Sequence, residues 1–274
     1  MKYLLCTVAM LMMTVSSSAA TSQGVNDNTV TLYCSQSFQE PEESVKQEFL
    51  VDKKGYITIF DGQSFAGWRG YGQSSMPSKW KIEDGCIKLD SKAGGEGGDI
   101  IFAHKFKNFE LTMEWKISKG GNSGIFYLAQ ETTNDKKELE PIYISCPECQ
   151  VLDNENHPDA KLGVDGNRKA GSLYDMIPAK PQNAKPYGQW NKITIRVYNG
   201  TVTHIQNGVQ VLQYQLWTPE WIDMLQKSKF SEKAWPHAFE LLSECGGENR
   251  EGFIGLQDHG NDVWFRNIKV KILK

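Results

Sequence analysis

Asn199-Gly200 and Asn207-Gly208 join three short runs rich in β-formers, residues 193–198, 201–206 and 209–214. An Asn-Gly pair supplies the two adjacent positive-φ positions of a type I′ turn, whose twist matches that of paired antiparallel strands. The segment is therefore expected to form a three-stranded meander in which Ile195 faces His204 and His204 faces Val211. Such tight hairpins commit this part of the chain to an antiparallel β architecture.

The rest of the pattern agrees. Residues 109–117 alternate Phe109, Leu111, Met113, Trp115 and Ile117 with Glu110, Thr112, Glu114 and Lys116, which gives a strand with one core face and one wet face. Trp80-Lys81-Ile82, the Asp84-Gly85 turn and residues 86–89 form a second hairpin signal. Further strands are expected at residues 56–60, 99–102, 125–128, 253–257 and 263–272, with a sharp turn at Gly120-Gly121-Asn122-Ser123-Gly124. Residues 217–244 break the pattern: Thr218 suits a helix cap, Pro219 a first turn, and Trp221, Met224 and Leu225 have helical spacing, with a second helix near 235–242. The glycine-rich loop at residues 91–98 lacks the strand-to-helix setting of a phosphate loop. The fold class is thus all-β, a β-sandwich or jelly roll with a short helical insertion near residues 218–244.

The 274 residues suffice for one main domain, taken as residues 55–274. Residues 1–20 have the form of a secretory signal peptide: Lys2, an apolar stretch at 4–15 too short to span a bilayer, and the small residues Ser18-Ala19-Ala20. Cys6 lacks the small-residue flanks of a lipoprotein cleavage site. The mature protein is therefore expected outside the cytoplasm, periplasmic or extracellular. Residues 21–54 form an N-terminal extension in which Glu40 to Phe49 suits a short acidic helix. A net charge of -3 without a basic run argues against nucleic acid, no later segment can span a membrane, and no protein partner is signalled. Eight Trp and ten Tyr instead offer aromatic surface for stacking on a ligand.

Cys34, Cys86, Cys146, Cys149 and Cys245 remain after the leader, an odd number that leaves at least one thiol unpaired within the chain. Cys146-Pro-Glu-Cys149 has C-x-x-C spacing, but it does not open a helix after a strand, and no second pair accompanies it for zinc. One disulfide or plain packed thiols both remain open. The strand that follows is more telling, because alternation sets Glu148 and Gln150 on one face and Cys149 and Val151 on the other. Two polar groups side by side there face either solvent or a ligand.

These motifs resemble the 3-keto-disaccharide hydrolase domain family, which has a concanavalin A-like lectin/glucanase fold. The likeness begins at Phe60-Asp61-Gly62 with Gly67-Trp68 and continues through Trp80, Gly98-Asp99-Ile100 and Asn122-Ser123-Gly124-Ile125. It then takes in Glu148-Cys149-Gln150-Val151-Leu152-Asp153, Gly171-Ser172-Leu173-Tyr174, Gly188-Gln189-Trp190-Asn191, and Gly255-Leu256-Gln257-Asp258-His259-Gly260 leading to Phe265-Arg266-Asn267. Two positions depart from the family pattern: Cys149, which changes packing, and Leu128, where an Arg often stands. The resemblance implies an enzyme acting on a carbohydrate ligand, a 3-keto-glycoside, whose carbonyl acidifies C2–H so that the glycosidic oxygen leaves by β-elimination and water adds to the enone.

That chemistry needs a base near C2, donors for the enolate oxygen and an acid for the leaving oxygen. Glu148 is the candidate acid/base, with His204 or His259 as partner. Asn122, Gln150, Asp153, Gln257 and Arg266 are candidate sugar or enolate contacts, and Trp68 and Tyr174 can stack on the ring. Each also has a structural reading: a core histidine for His204, a turn for His259, an ion pair for Arg266, core aromatics for Trp68 and Tyr174. The sequence itself calls for no cofactor. A divalent cation such as calcium is conceivable at residues 153–159, which are rich in oxygen ligands but lack the spacing of a known calcium loop. Two other functions stay open, a non-catalytic carbohydrate-binding module and a conventional glycosidase. The second needs two carboxylates, and Glu148 and Asp153, five apart, would face opposite sides of a regular strand.

Overall fold

The computed structural model describes residues 28–39 and 43–274, so the leader at residues 1–20 lies outside the described residues. The chain opens with an antiparallel hairpin, β1 (Thr29–Ser35) and β2 (Ser44–Leu50). The described part of the expected acidic helix is therefore a strand. Its pairing with β1 puts Phe49 inward, where its ring meets Phe102 edge-on at 5.4 Å. The remaining strands are β3 (Ile57–Thr58), β4 (Trp68–Gly70), β5 (Trp80–Glu83), β6 (Cys86–Leu89), β7 (Ile100–Phe106), β8 (Phe109–Ile117), β9 (Asn122–Ala129) and β10 (Glu148–Leu152), followed by β11 (Asn191–Tyr198), β12 (Thr201–Gln206) and β13 (Val209–Gln215). Two helices, α1 (Pro219–Gln226) and α2 (Pro236–Ser243), precede β14 (Gly252–Leu256) and β15 (Val263–Ile272).

Two antiparallel sheets face each other across the main core. One has the order β13-β12-β11-β8-β15-β6-β5, with β3 paired to β15; the other has the order β10-β9-β14-β7-β4. The expected meander is β11-β12-β13, turned at Asn199 and Asn207 with φ of 48° and 50°. Its first register is as expected, Ile195 opposite His204. The second differs: a bulge between His204 and Ile205 places Leu212, not Val211, opposite His204. An extra residue on one strand shifts everything beyond it, and turn chemistry alone does not reveal it.

In the eight-stranded sheet β8 alternates strictly between buried and half-buried residues. The five-stranded sheet does not: every residue of β9, β10 and β14 is buried, polar ones included. Its inner face packs into the main core through Ile125, Tyr127, Cys149, Val151, Ile254 and Leu256. Its outer face carries a second, smaller cluster in which Phe126, Ile101 and Phe253 lie under Ile142 and Cys146 of the connection between β9 and β10. Helix α1, capped by Thr218 as expected, buries Trp221 against Tyr214 with the rings stacked at 5.7 Å.

The hairpin β1–β2 belongs to this body. Arg69 forms a buried ion pair with Glu131 and also donates to Ser35 Oγ at 3.0 Å, fixing the end of β1. Leu32, Cys34 and Phe49 join the main core. Phe49→Ala should therefore cost about 3 kcal/mol, the range of a buried Phe truncation. Urea unfolding will show a lower midpoint with an unchanged slope, whereas an unchanged midpoint would mean that the hairpin contributes nothing to the fold.

Candidate active site

The outer face of the five-stranded sheet is left open at one end, and there Glu148, Gln150, Asn122 and Gln257 form the floor of a cleft of about 250 Å³. Pairing of β10 with β9 sets Gln150 opposite Gly124 and Leu152 opposite Asn122, so alternation brings these polar groups to one face. Gly124 leaves room for Glu148, since a Cβ there would lie 2.8 Å from the Glu148 carboxyl carbon and the side chain would have to shift. The walls are Tyr143, Tyr174, Lys229, Trp235 and His259. Tyr174 is placed by backbone pairing of its segment along β10, with Tyr174 N–H donating to the Glu148 carbonyl at 3.0 Å and Gly171 N–H to that of Gln150 at 2.8 Å.

The floor is polar, buried and incompletely bonded. Asn122 Oδ1, Gln150 Nε2 and Gln257 Oε1 have no hydrogen-bond partner, although their side chains are buried. Buried amides are normally satisfied, so three orphans in one cleft leave donors and acceptors there for a polar ligand or water. Glu148 is 7% exposed, and among the described residues no donor bonds its carboxyl. Burial pushes its pKa up to about 8, with Asp99 and Asp159 adding repulsion and Lys229 pulling the other way. Asp99, just before β7, is itself pushed up to about 7 by burial and by Asp258, against the Asp258 N–H whose bond it accepts.

Nothing in the sequence pattern marks Lys229 or Trp235 as a cleft residue. Both lie in the helical insertion, where Trp217, Trp221 and Leu225 announce only packing. Lys229 is exposed as a residue, yet its ammonium lies over the Tyr174 ring at 4.4 Å, and this enclosure lowers its pKa, with Glu148 the strongest influence in the opposite sense. Beside it, Arg168 bridges Asp159 at 2.9 Å and Asp175, while Tyr174 Oη donates to Asp159 at 3.0 Å.

The structure brings Glu148, Asn122, Gln150, Tyr174, Gln257 and His259 together and disperses the others. His204 is wholly buried in the main core, where its Nδ1–H donates to the Gly171 carbonyl and its Nε2 accepts from Tyr127, both at 2.9 Å. Burial pushes it down to about 4, against the pull of the Gly171 carbonyl, so it is a neutral brace for the Tyr174 segment rather than a proton donor in the cleft. Arg266 lies on the other sheet, ion-paired with Glu114 at 2.7 Å and stacked over Trp190 at 3.9 Å, because Phe265 beside it takes the core side. Trp68 is a core ring that donates to the Ile59 carbonyl at 2.7 Å. Asp153 is turned into its own loop, where bonds from Gly120 N–H, Asn156 and Glu155 outweigh burial and hold it below the ordinary carboxylate range. Leu128 is fully buried in the main core, away from the cleft lining. All five described cysteines are free and buried, so the C-x-x-C pair consists of packed thiols. Among the described residues no cluster of three or more His, Cys, Asp or Glu is arranged to hold a metal; within residues 153–159, Asp153 accepts from its own turn while Asp159 bonds Arg168 and Tyr174.

Residues 55–271 match the family model described as the 3-keto-alpha-glucoside-1,2-lyase-like domain. A relative from Bacteroides thetaiotaomicron named 3-keto-disaccharide hydrolase is 70% identical over 232 residues, covering 81% of this chain and 80% of the relative. Among solved structures, a candidate glycosyl hydrolase from Parabacteroides distasonis is 28% identical with a TM-score of 0.65, covering 81% of this chain and 95% of the other. A second from the same organism, 24% identical with a TM-score of 0.58 over 80% of this chain and 99% of the other, shares the fold.

The position of Glu148 sets a pH dependence of stability. Between its ordinary value of 4.5 and about 8 the folded chain keeps a proton that the unfolded chain has lost, so Glu148 makes stability fall as pH rises through that window. Glu148→Gln removes the effect: its melting temperature should exceed that of the parent by a few degrees above pH 8 and match it in acid. Equal melting temperatures at both ends would mean that the carboxyl is solvated.

Proposed function

From the membership of this chain in the 3-keto-alpha-glucoside-1,2-lyase-like domain family, we propose that it is an exported carbohydrate-active enzyme that cleaves 3-keto-glycosides by elimination followed by hydration. Glu148 carries the reading. It is the one carboxylate lining the cleft among the described residues, and it is buried and poised near neutral pH. A conventional glycosidase uses two carboxylates across the scissile bond, and the sequence candidate for the second, Asp153, is committed to its loop. A single base suits abstraction of a proton made acidic by a neighbouring ketone.

In this mechanism the sugar lies on the floor amides, with Tyr143, Tyr174 and Trp235 around its ring. The Glu148 carboxylate takes the C2 proton, and the C2–H electron pair moves into a C2=C3 enolate. The enolate collapses to a C1=C2 enone as the C1–O bond breaks, and His259 at the exposed rim gives a proton to the departing oxygen. Water then adds its oxygen to C1, C2 regains a proton, and the 3-keto sugar is released. Export is supported by Lys2, the apolar stretch at residues 4–15 and Ser18-Ala19-Ala20. Among the described residues no helix is long and apolar enough to cross a membrane.

The test is to offer purified protein a 3-keto-disaccharide and its unoxidised parent and to follow free sugar release. Cleavage of the keto substrate alone is expected, with Glu148→Gln slower by about 100-fold or more, the usual contribution of a positioned base. Binding without turnover of either sugar would leave a lectin-like module, and turnover of the parent would restore the two-carboxylate reading. The keto-substrate rate should also rise with pH through about 8, because the base form of Glu148 is the ionised one.

A further inference from the structure

Lys229 stands between α1 and α2, anchored by its backbone N–H, which donates to Asp175 Oδ2 at 2.8 Å. Its ammonium lies over the rings of Tyr174 at 4.4 Å, Phe230 at 4.9 Å and Tyr143 at 5.8 Å. Ring faces favour a cation at such distances. Among the described residues no carboxylate forms an ion pair with it and no acceptor takes its N–H bonds. A held ammonium with its donors unspent, facing a floor of orphaned amides, is a site for an oxygen that becomes negative.

We propose that Lys229 is a catalytic residue of this cleft, its ammonium holding the C3 oxygen of the keto sugar and stabilising the enolate that forms when Glu148 removes the C2 proton. The inference rests on the keto-sugar reading above. C2 and C3 are adjacent atoms, so base and cation must converge on one small space; Glu148 rises from β10 and Lys229 descends from the insertion into the same 250 Å³. The electron pair released at C2 comes to rest on the C3 oxygen beside the ammonium, and returns to expel the C1 oxygen with no proton exchanged at Lys229. An unoxidised sugar develops no charge at C3. Lys229 therefore acts on turnover of the ketone more than on binding of either sugar.

The groups facing Lys229 are Glu148 from β10, Asp159, Arg168, Tyr174 and Asp175 from the following loop, and Tyr143 from the β9–β10 connection. Glu148 is faced in turn by Lys229, Asp99 and Asp159. Removing the ammonium takes away the one nearby cation that favours the Glu148 carboxylate, so the rising limb of the pH–rate profile should move upward.

Lys229→Met should lower kcat on a 3-keto-disaccharide by about 100-fold, as loss of one preorganised oxyanion donor does, with KM changed far less. The same variant should shift the pH limb, and the Glu148 carboxyl titration followed by ¹³C NMR, to higher pH, while Lys229→Arg restores part of both. If the parent protein cleaves the substrate and Lys229→Met retains its kcat and pH limb, Lys229 is only a wall residue and the inference falls while the function stands. If the parent protein turns over no keto sugar, the function falls and takes the inference with it.

Discussion

The five-stranded sheet is buried on both faces, and the chemistry of this protein follows from that constraint. One face is occupied by the main core. The other is covered by the β9–β10 connection, by the loop carrying Tyr174 and by the helical insertion, which leave a cleft over β9, β10 and β14. Polar side chains on that floor lose water without gaining protein partners, a cost normally avoided. Glu148 cannot ionise freely, and the amides of Asn122, Gln150 and Gln257 wait for a ligand. The site thus trades stability for a carboxyl of raised pKa and unmatched donors and acceptors.

The eight-stranded sheet was legible because one of its faces is wet. Alternation marked β8, and Asn-Gly turns marked β11 to β13. Alternation also put Glu148 and Gln150 on a common face, and the Gly-Ser-Leu-Tyr motif reappears as the segment paired along β10. Misplaced residues have definite physical causes. Arg266 and Trp68 sit in family-like motifs, yet Trp68 turns into the core and Arg266 lies on the outside of the opposite sheet. For His204, the bulge in the meander was invisible, and burial settled its role. The strand Ser44–Leu50 exists through its pairing with β1, a long-range term that outweighs local helical character.

Lys229 and Trp235 mark the limit of such reading. Their segment is an amphipathic excursion whose sequence explains why it docks, not what it carries to the cleft. Only the fold reveals that α1 packs beside β13, that α2 packs on α1 and on residues 142–144, and that their connecting loop is held against Asp175, over the floor built by β10. A sandwich with an open sheet end can bind a sugar. The insertion adds the cation and the aromatic wall that distinguish this cleft from a bare sheet surface.

The most direct test of the account is to run the cleavage in deuterium oxide and examine the released 3-keto sugar by NMR, against a control in which that sugar is incubated without protein. Elimination and hydration predict deuterium at C2, because C2 loses its proton to Glu148 and regains one from a group in contact with solvent. Release of free sugars with C2 still carrying its original hydrogen would mean direct displacement at C1, and would contradict the central role given to Glu148 as a carbon base.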